Sequence, residues 1–203
     1  VEYDYDLTDI TEISPKSGPI RNRKPAAFQK LVNAYETVLS DLKFFPIPQS
    51  GSQEEGEVCY EDGWLEPRSY GGDRGHEGCD IMGTRQPSGF YPVVSISDGV
   101  IEKCGWLEQG GWRLGIRTPH GLYVYYAHLY GYAREWKEGD QISAGTLLGF
   151  MGDTGYSKIE GTTGNFPVHL HVGLYLQTDN YEELSVNPYW ILRYLEQYRL
   201  KYT

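Results

Sequence analysis

A mainly β fold is the prediction from this sequence: a compact antiparallel sheet domain, an N-terminal helical extension and a C-terminal helix. Three observations lead there. Short runs rich in Val, Ile, Leu and Tyr recur between Cys59 and Leu176, and Gly, Pro and Asp break them at close intervals. Glycine and tyrosine are abundant, 25 and 18 of 203 residues, which suits tight turns and half-exposed strand faces. Helical periodicity is confined to one stretch near each end.

Residues 1–55 read as the extension. Val1–Asp9 alternates acids with Tyr3, Tyr5 and Leu7, a pattern open to an edge strand, a docked arm or disorder. Ala26–Phe44 carries Phe28, Leu31, Val32, Tyr35, Val38, Leu39 and Leu42 at helical spacing, and Pro46 and Pro48 stop it. An isolated helix of this length is marginal in water, so its stripe is expected to pack on the main domain. The acidic run Gln49–Glu57 marks the boundary, and the sheet domain occupies residues 56–203.

Within that domain, Tyr91–Ser97 and Val100–Cys104 flank Asp98-Gly99, a two-residue hairpin signal. Trp112–Thr118 and Leu122–Leu129 flank a second turn, Pro119-His120-Gly121. Leu147–Met151 and His169–Leu176 are further strands. Asn187 as N-cap and Pro188 at the first helical position open a helix over about 188–200. Its Trp190, Ile191, Tyr194, Leu195 and Tyr198 are expected to face the sheet.

Hydrophobic content of 39% and charged content of 23% are those of a soluble globular chain. The net charge of −10 leaves no general basic patch for phosphates, which argues against nucleic acid as a partner. Cys59, Cys79 and Cys104 lack the C-x-x-C spacing of metal sites and allow either one disulfide, Cys59–Cys104, or free buried thiols. No transmembrane-length apolar run occurs, so a signal peptide or anchor is expected to lie outside this chain.

The chain holds five histidines. His169 and His171 sit two apart on a predicted strand, so both point to one face while Leu170 points to the other. His76 and Asp80 are four apart. Gly75, Gly78 and Gly83 oppose a helix there, so a bend at Gly78 is expected to bring imidazole and carboxylate together. The same glycines weigh against a helical H-E-x-x-H reading of His76-Glu77, and Glu77 is taken as solvated. Cys79, next to Asp80 on a strand, should point away. His128 closes an aromatic strand, and His120 lies in an exposed turn outside the site. Imidazole and carboxylate are the ligands of catalytic zinc, which takes three protein ligands and leaves a position open. Two histidines then remain to move protons. Period two alone does not say which of His169 and His171 is the ligand.

Gly75-His76-Glu77-Gly78-Cys79-Asp80-Ile81, Ser97-Asp98-Gly99-Val100 and Tyr126-Ala127-His128-Leu129 are followed in order by further motifs. These are Gly139-Asp140, Gly145-Thr146-Leu147-Leu148-Gly149, Gly152-Asp153-Thr154-Gly155 and His169-Leu170-His171. Over residues 60–192 the chain thereby resembles the lysostaphin-like, or LytM-like, zinc endopeptidases, which cut cross-bridges and stem peptides of bacterial peptidoglycan. The resemblance implies a compact antiparallel β domain with its site in a narrow groove. It implies one zinc per chain on His76, Asp80 and His171, with His128 and His169 catalytic on metal-bound water. It also implies a tyrosine aimed at the oxyanion six residues before the first ligand, here Tyr70. An extracellular or cell-envelope location and a peptidoglycan substrate follow from the same resemblance. The alternative is a non-catalytic scaffold or activator of other cell-wall enzymes; such domains typically lack site residues, whereas all five are present here. One departure is the long link Lys158–Pro167, which is expected to form a wall of the groove.

Overall fold

The computed structural model describes residues 25–50, 57–84 and 87–202. The reading of Val1–Asp9 lies outside them. The chain divides into two compact units, Val1–Glu36 and Thr37–Thr203, so the division falls at Glu36 rather than at 55/56. The reason lies in the segment after the first helix. Phe45 and Ile47 are fully buried, and Lys43 N–H donates to the Ile96 carbonyl at 2.8 Å.

Helix α1 spans Pro25–Leu39. Two-residue strands β1 (Gln49–Ser50), β2 (Val58–Cys59), β3 (Pro67–Arg68) and β4 (Arg74–Gly75) precede β5 (Cys79–Gly83) and β6 (Pro92–Val94). The long strands β7 (Gly99–Leu107), β8 (Gly111–Arg117) and β9 (Tyr123–Tyr132) follow, then β10 (Gln141–Ile142) and β11 (Leu147–Met151). The chain closes with β12 (His169–Leu176), β13 (Leu184–Val186), helix α2 (Tyr189–Leu195), a 3₁₀ turn and β14 (Lys201–Tyr202). The main sheet runs β10-β7-β8-β9-β12-β5-β2, with β13 on β12, β11 on β9 and β6 on β11. Every pairing in it is antiparallel.

Alternation along the central strands separates core from groove. Leu170, Val172 and Leu174 of β12 point into the core with Val124 and Tyr126 of β9, Leu114 and Ile116 of β8 and Ile81 of β5. The Tyr126 hydroxyl, fully buried, accepts the Ile96 N–H at 2.9 Å, so a polar group sits in this core without penalty. The other face of β12 carries His169, His171 and Tyr175.

Several expectations change. Helix α1 ends at Leu39, short of the expected Phe44. Asp98-Gly99 is not a hairpin: β6 pairs with β11, not β7. The Asp98 carboxylate instead accepts the Ala144 N–H at 2.8 Å and pairs with Lys43. Helix α2 is shorter than the expected 188–200. Asn187 caps it by accepting the Tyr189 N–H at 2.9 Å, but only Leu192 and Leu195 are buried, and Trp190, Tyr194 and Tyr198 face outward. All three cysteines are free thiols, so the Cys59–Cys104 pairing is absent. No helix among the described residues is long and apolar enough to cross a membrane.

Candidate metal centre

The centre is assembled from β5, β9, β12 and the bend before β5. Register places His171 opposite Asp80 across β12 and β5, and opposite Ala127 across β12 and β9. The chain bends at Gly78 and returns His76 to the same spot. His76 Nε2 lies 3.0 Å from Asp80 Oδ1 and 3.0 Å from His171 Nδ1, and His171 Nδ1 lies 2.9 Å from Asp80 Oδ1. Gly78 is required by this convergence: a Cβ there would stand 2.3 Å from His171 Cε1.

The donor set fits a cation. His76 Nδ1 donates to the Gly63 carbonyl at 3.0 Å, which turns Nε2 toward Asp80 and His171. Two imidazole nitrogens and a carboxylate oxygen thereby meet at one point, the donor set of a divalent transition-metal site. Asp80 offers Oδ1 to the histidines while Arg68 Nη2 holds Oδ2 at 3.3 Å. Burial works to raise the Asp80 carboxyl, but hydrogen bonds from His171 and His76 outweigh it and hold the group well below the usual carboxylate range. Burial pushes the His171 imidazole down, against the opposing pull of Asp80. Carboxylate and neutral imidazole are the protonation states that ligate metals.

His128 and His169 stand beside this triangle, their ring centroids 4.7 Å apart. Each is fixed from behind: His128 Nδ1 donates to the Thr154 carbonyl and His169 Nδ1 to the Pro167 carbonyl, both at 2.8 Å. Both Nε2 atoms are thereby turned away from these carbonyls, and that of His169 is 3.7 Å from Asp80 Oδ1. Burial, with His169 and His171 nearby, pushes the His128 imidazole well below its ordinary range. His128 reaches the groove through a backbone irregularity. The β8–β9 register slips between Trp112 and Leu114, so β9 carries an extra residue, and His128 has φ of 61°. Simple alternation would have sent its side chain to the core beside Tyr126.

The six expected residues divide five to one. His76, Asp80, His128, His169 and His171 converge in a groove of about 430 Å³. Tyr70 stands apart: its hydroxyl donates to Glu108 at 3.4 Å, and its ring stacks on Tyr156, centroids 4.4 Å apart. Among the described residues it makes no hydrogen bond to the histidines. Tyr156 is the tyrosine beside them, 5.8 Å from the His128 ring. The Lys158–Pro167 link does not line the groove, apart from Phe166, which packs edge-on against His128 at 4.6 Å. Glu77 is exposed and the Cys79 thiol turns away to the Glu61 carbonyl, as alternation requires. His120 is exposed and pairs with Asp41. Sequence reasoning passed over Tyr125, Arg68 and Arg113. For Tyr125 the signal was present, since it precedes Ala127 by one strand period.

The fold and the centre define an antiparallel β protein with a His/Asp/His candidate metal site. The chain belongs to peptidase family M23, whose description its residues 74–188 match. It is 39% identical over 171 residues to the L-Ala–D-Glu endopeptidase of Bacillus subtilis strain 168, covering 84% of this chain and 49% of that protein. It is 40% identical over 68 residues to the glycyl-glycine endopeptidase ALE-1 of Staphylococcus capitis, 32% of this chain and 18% of that protein. The chain thus spans about half or less of the curated relatives it matches. A Ruminococcus gnavus structure, provisionally assigned as a glycyl-glycine endopeptidase LytM, superposes with a TM-score of 0.82 at 45% identity, covering 96% of this chain and 77% of that one.

Proposed function

We propose that this chain is a zinc-dependent endopeptidase that hydrolyses a peptide bond of bacterial peptidoglycan, acting outside the cell or in its envelope. The observation that carries this reading is the convergence of His76 Nε2, Asp80 Oδ1 and His171 Nδ1 within 3.0 Å, beside two further histidines, His128 and His169. Membership of a peptidase family and the relatives' names support the reaction class.

His76, Asp80 and His171 would hold one zinc per chain. Bound zinc supplies Lewis acidity toward a scissile carbonyl and lowers the pKa of water to about 7. His128 and His169 present their Nε2 atoms at the same place, held by the Thr154 and Pro167 carbonyls, and are suited to accept and return a proton. Phe166 packs on both imidazoles and limits solvent around them. Tyr70 supports Tyr156 by stacking, which holds both tyrosines at the edge of the centre.

The test is mass analysis of fragments released from defined cell walls by the zinc-loaded protein. Release of peptide-cleaved fragments, abolished in His128→Ala, is the expected result. No release from any wall type would favour the non-catalytic scaffold.

A further inference from the structure

The groove holds four basic side chains, Arg68, Arg74, Lys103 and Arg113. Three have partners within the protein. Arg68 bonds to Asp80 at 3.3 Å and Glu66 at 3.5 Å, Arg74 Nε donates to the Tyr70 carbonyl at 3.5 Å, and Lys103 pairs with Glu138 at 3.7 Å. Arg113 makes no side-chain hydrogen bond or ion pair among the described residues, and its Nη1 is buried without a partner. A buried guanidinium nitrogen left unpaired by protein groups is costly, and it calls for a partner from outside the chain, solvent or ligand.

Its position in the sheet is informative. Arg113 is on β8, opposite Gly105 of β7, and its neighbour Leu114 pairs with Tyr126 of β9. On the next two strands, Ala127 pairs with His171 and His171 with Asp80. Arg113 therefore sits two strand spacings from His171, about 10 Å, on the same face. Ala127, opposite His171, lies on the strand between them, and Tyr123 and Tyr125 line the same groove. An extended peptide advances about 3.3 Å per residue, so the guanidinium faces a group at most about three residues from the bond at the metal centre. The fork of an arginine matches a carboxylate in two parallel hydrogen bonds, which a neutral amide does not reproduce. The chain's overall charge of −10 repels anions, so a local cation is needed to hold one here.

We propose that Arg113 forms a carboxylate-binding subsite, and that the peptide cleaved carries a free carboxylate within about three residues of the scissile bond, unlike a neutral glycine bridge. This rests on the peptidase reading above. The test compares two short Ala–Glu peptides that differ only in a free carboxylate or a carboxamide on the glutamate, with pentaglycine as a third. Zinc-loaded wild type is expected to favour the carboxylate peptide over the carboxamide by ~10-fold or more in kcat/KM. Arg113→Gln should bring that ratio to within about twofold, and Arg113→Lys, with charge but no fork, should fall between. Calorimetric binding of the carboxylate product peptide should weaken ~10-fold in Arg113→Gln while zinc content stays the same.

An undiminished ratio in Arg113→Gln, or a wild type that prefers carboxamide or pentaglycine, would overturn the subsite and leave the peptidase standing. Arg113-dependent binding without hydrolysis of any peptide would support the subsite and overturn the peptidase reading. If Arg113→Gln does not fold, the wild-type ratio and Arg113→Lys still decide.

Discussion

Gly78→Ala tests how the centre is built. A Cβ at Gly78 would lie 2.3 Å from His171 Cε1, 2.5 Å from His171 Nε2 and 2.8 Å from the Val172 carbonyl oxygen. Carbon atoms rest at about 3.5–4.0 Å, so something must yield by roughly 1 Å. Yielding by His171 moves one of the three proposed ligands; yielding by the Gly78 backbone moves the other two, His76 and Asp80, which flank it. Metal–ligand distances tolerate only about 0.2 Å, so zinc affinity should fall ~10–100-fold. Overpacking alone should cost about 1–3 kcal/mol of stability. The assay is zinc competition against a chromophoric chelator, with thermal melts in the presence and absence of chelator. Gly131→Ala is the control, because no heavy atom lies within 4 Å of its Cβ position and its φ lies outside the left-handed range. A Gly78→Ala protein that binds zinc as tightly as wild type would refute the argument that this glycine exists for the close approach of His171.

Two further predictions concern single side chains. His171→Ala should be purified with little zinc, whereas His128→Ala and His169→Ala should keep about one zinc per chain and lose ~10²–10⁴ in rate, measured by metal analysis and turnover; a zinc-free His169→Ala beside a zinc-loaded His171→Ala would exchange the two roles. Asp41 is buried, which acts to raise its carboxyl, but hydrogen bonds from Thr118 and His120 prevail and lower it. Such a group binds fewer protons folded than unfolded, so its stabilisation is present above about pH 4 and lost as pH falls through the folded value. Urea unfolding between pH 3 and 7 should show a shallower acid loss in Asp41→Asn than in wild type, and identical slopes would count against this role.

Much of the centre was legible in the sequence because its signals are local. Period two put His169 and His171 on one face, the glycines around His76 and Asp80 announced a bend, and the strands Leu147–Met151 and His169–Leu176 fall where alternation ends. The β class followed from the same short-range patterns of turn residues and apolar runs. What the sequence did not determine depends on contacts distant along the chain. Asp98-Gly99 has the composition of a hairpin, yet Asp98 is drawn to Ala144 and Lys43, and the strand before it pairs with β11. Tyr70 stacks on Tyr156, which arrives from a loop over eighty residues later and itself lies against His128, a contact no local pattern around Tyr70 contains. His128 enters the groove only because β9 bulges against β8, a register slip that no property of β9 alone encodes. Arg113 reads as an ordinary strand residue until the fold leaves its Nη1 buried without a partner among the described residues, in the groove of the centre. Local sequence thus specified the ligand types and the faces they occupy. Tertiary pairing set which of them meet, because register and bulges are resolved only when strands far apart in sequence compete for the same hydrogen bonds.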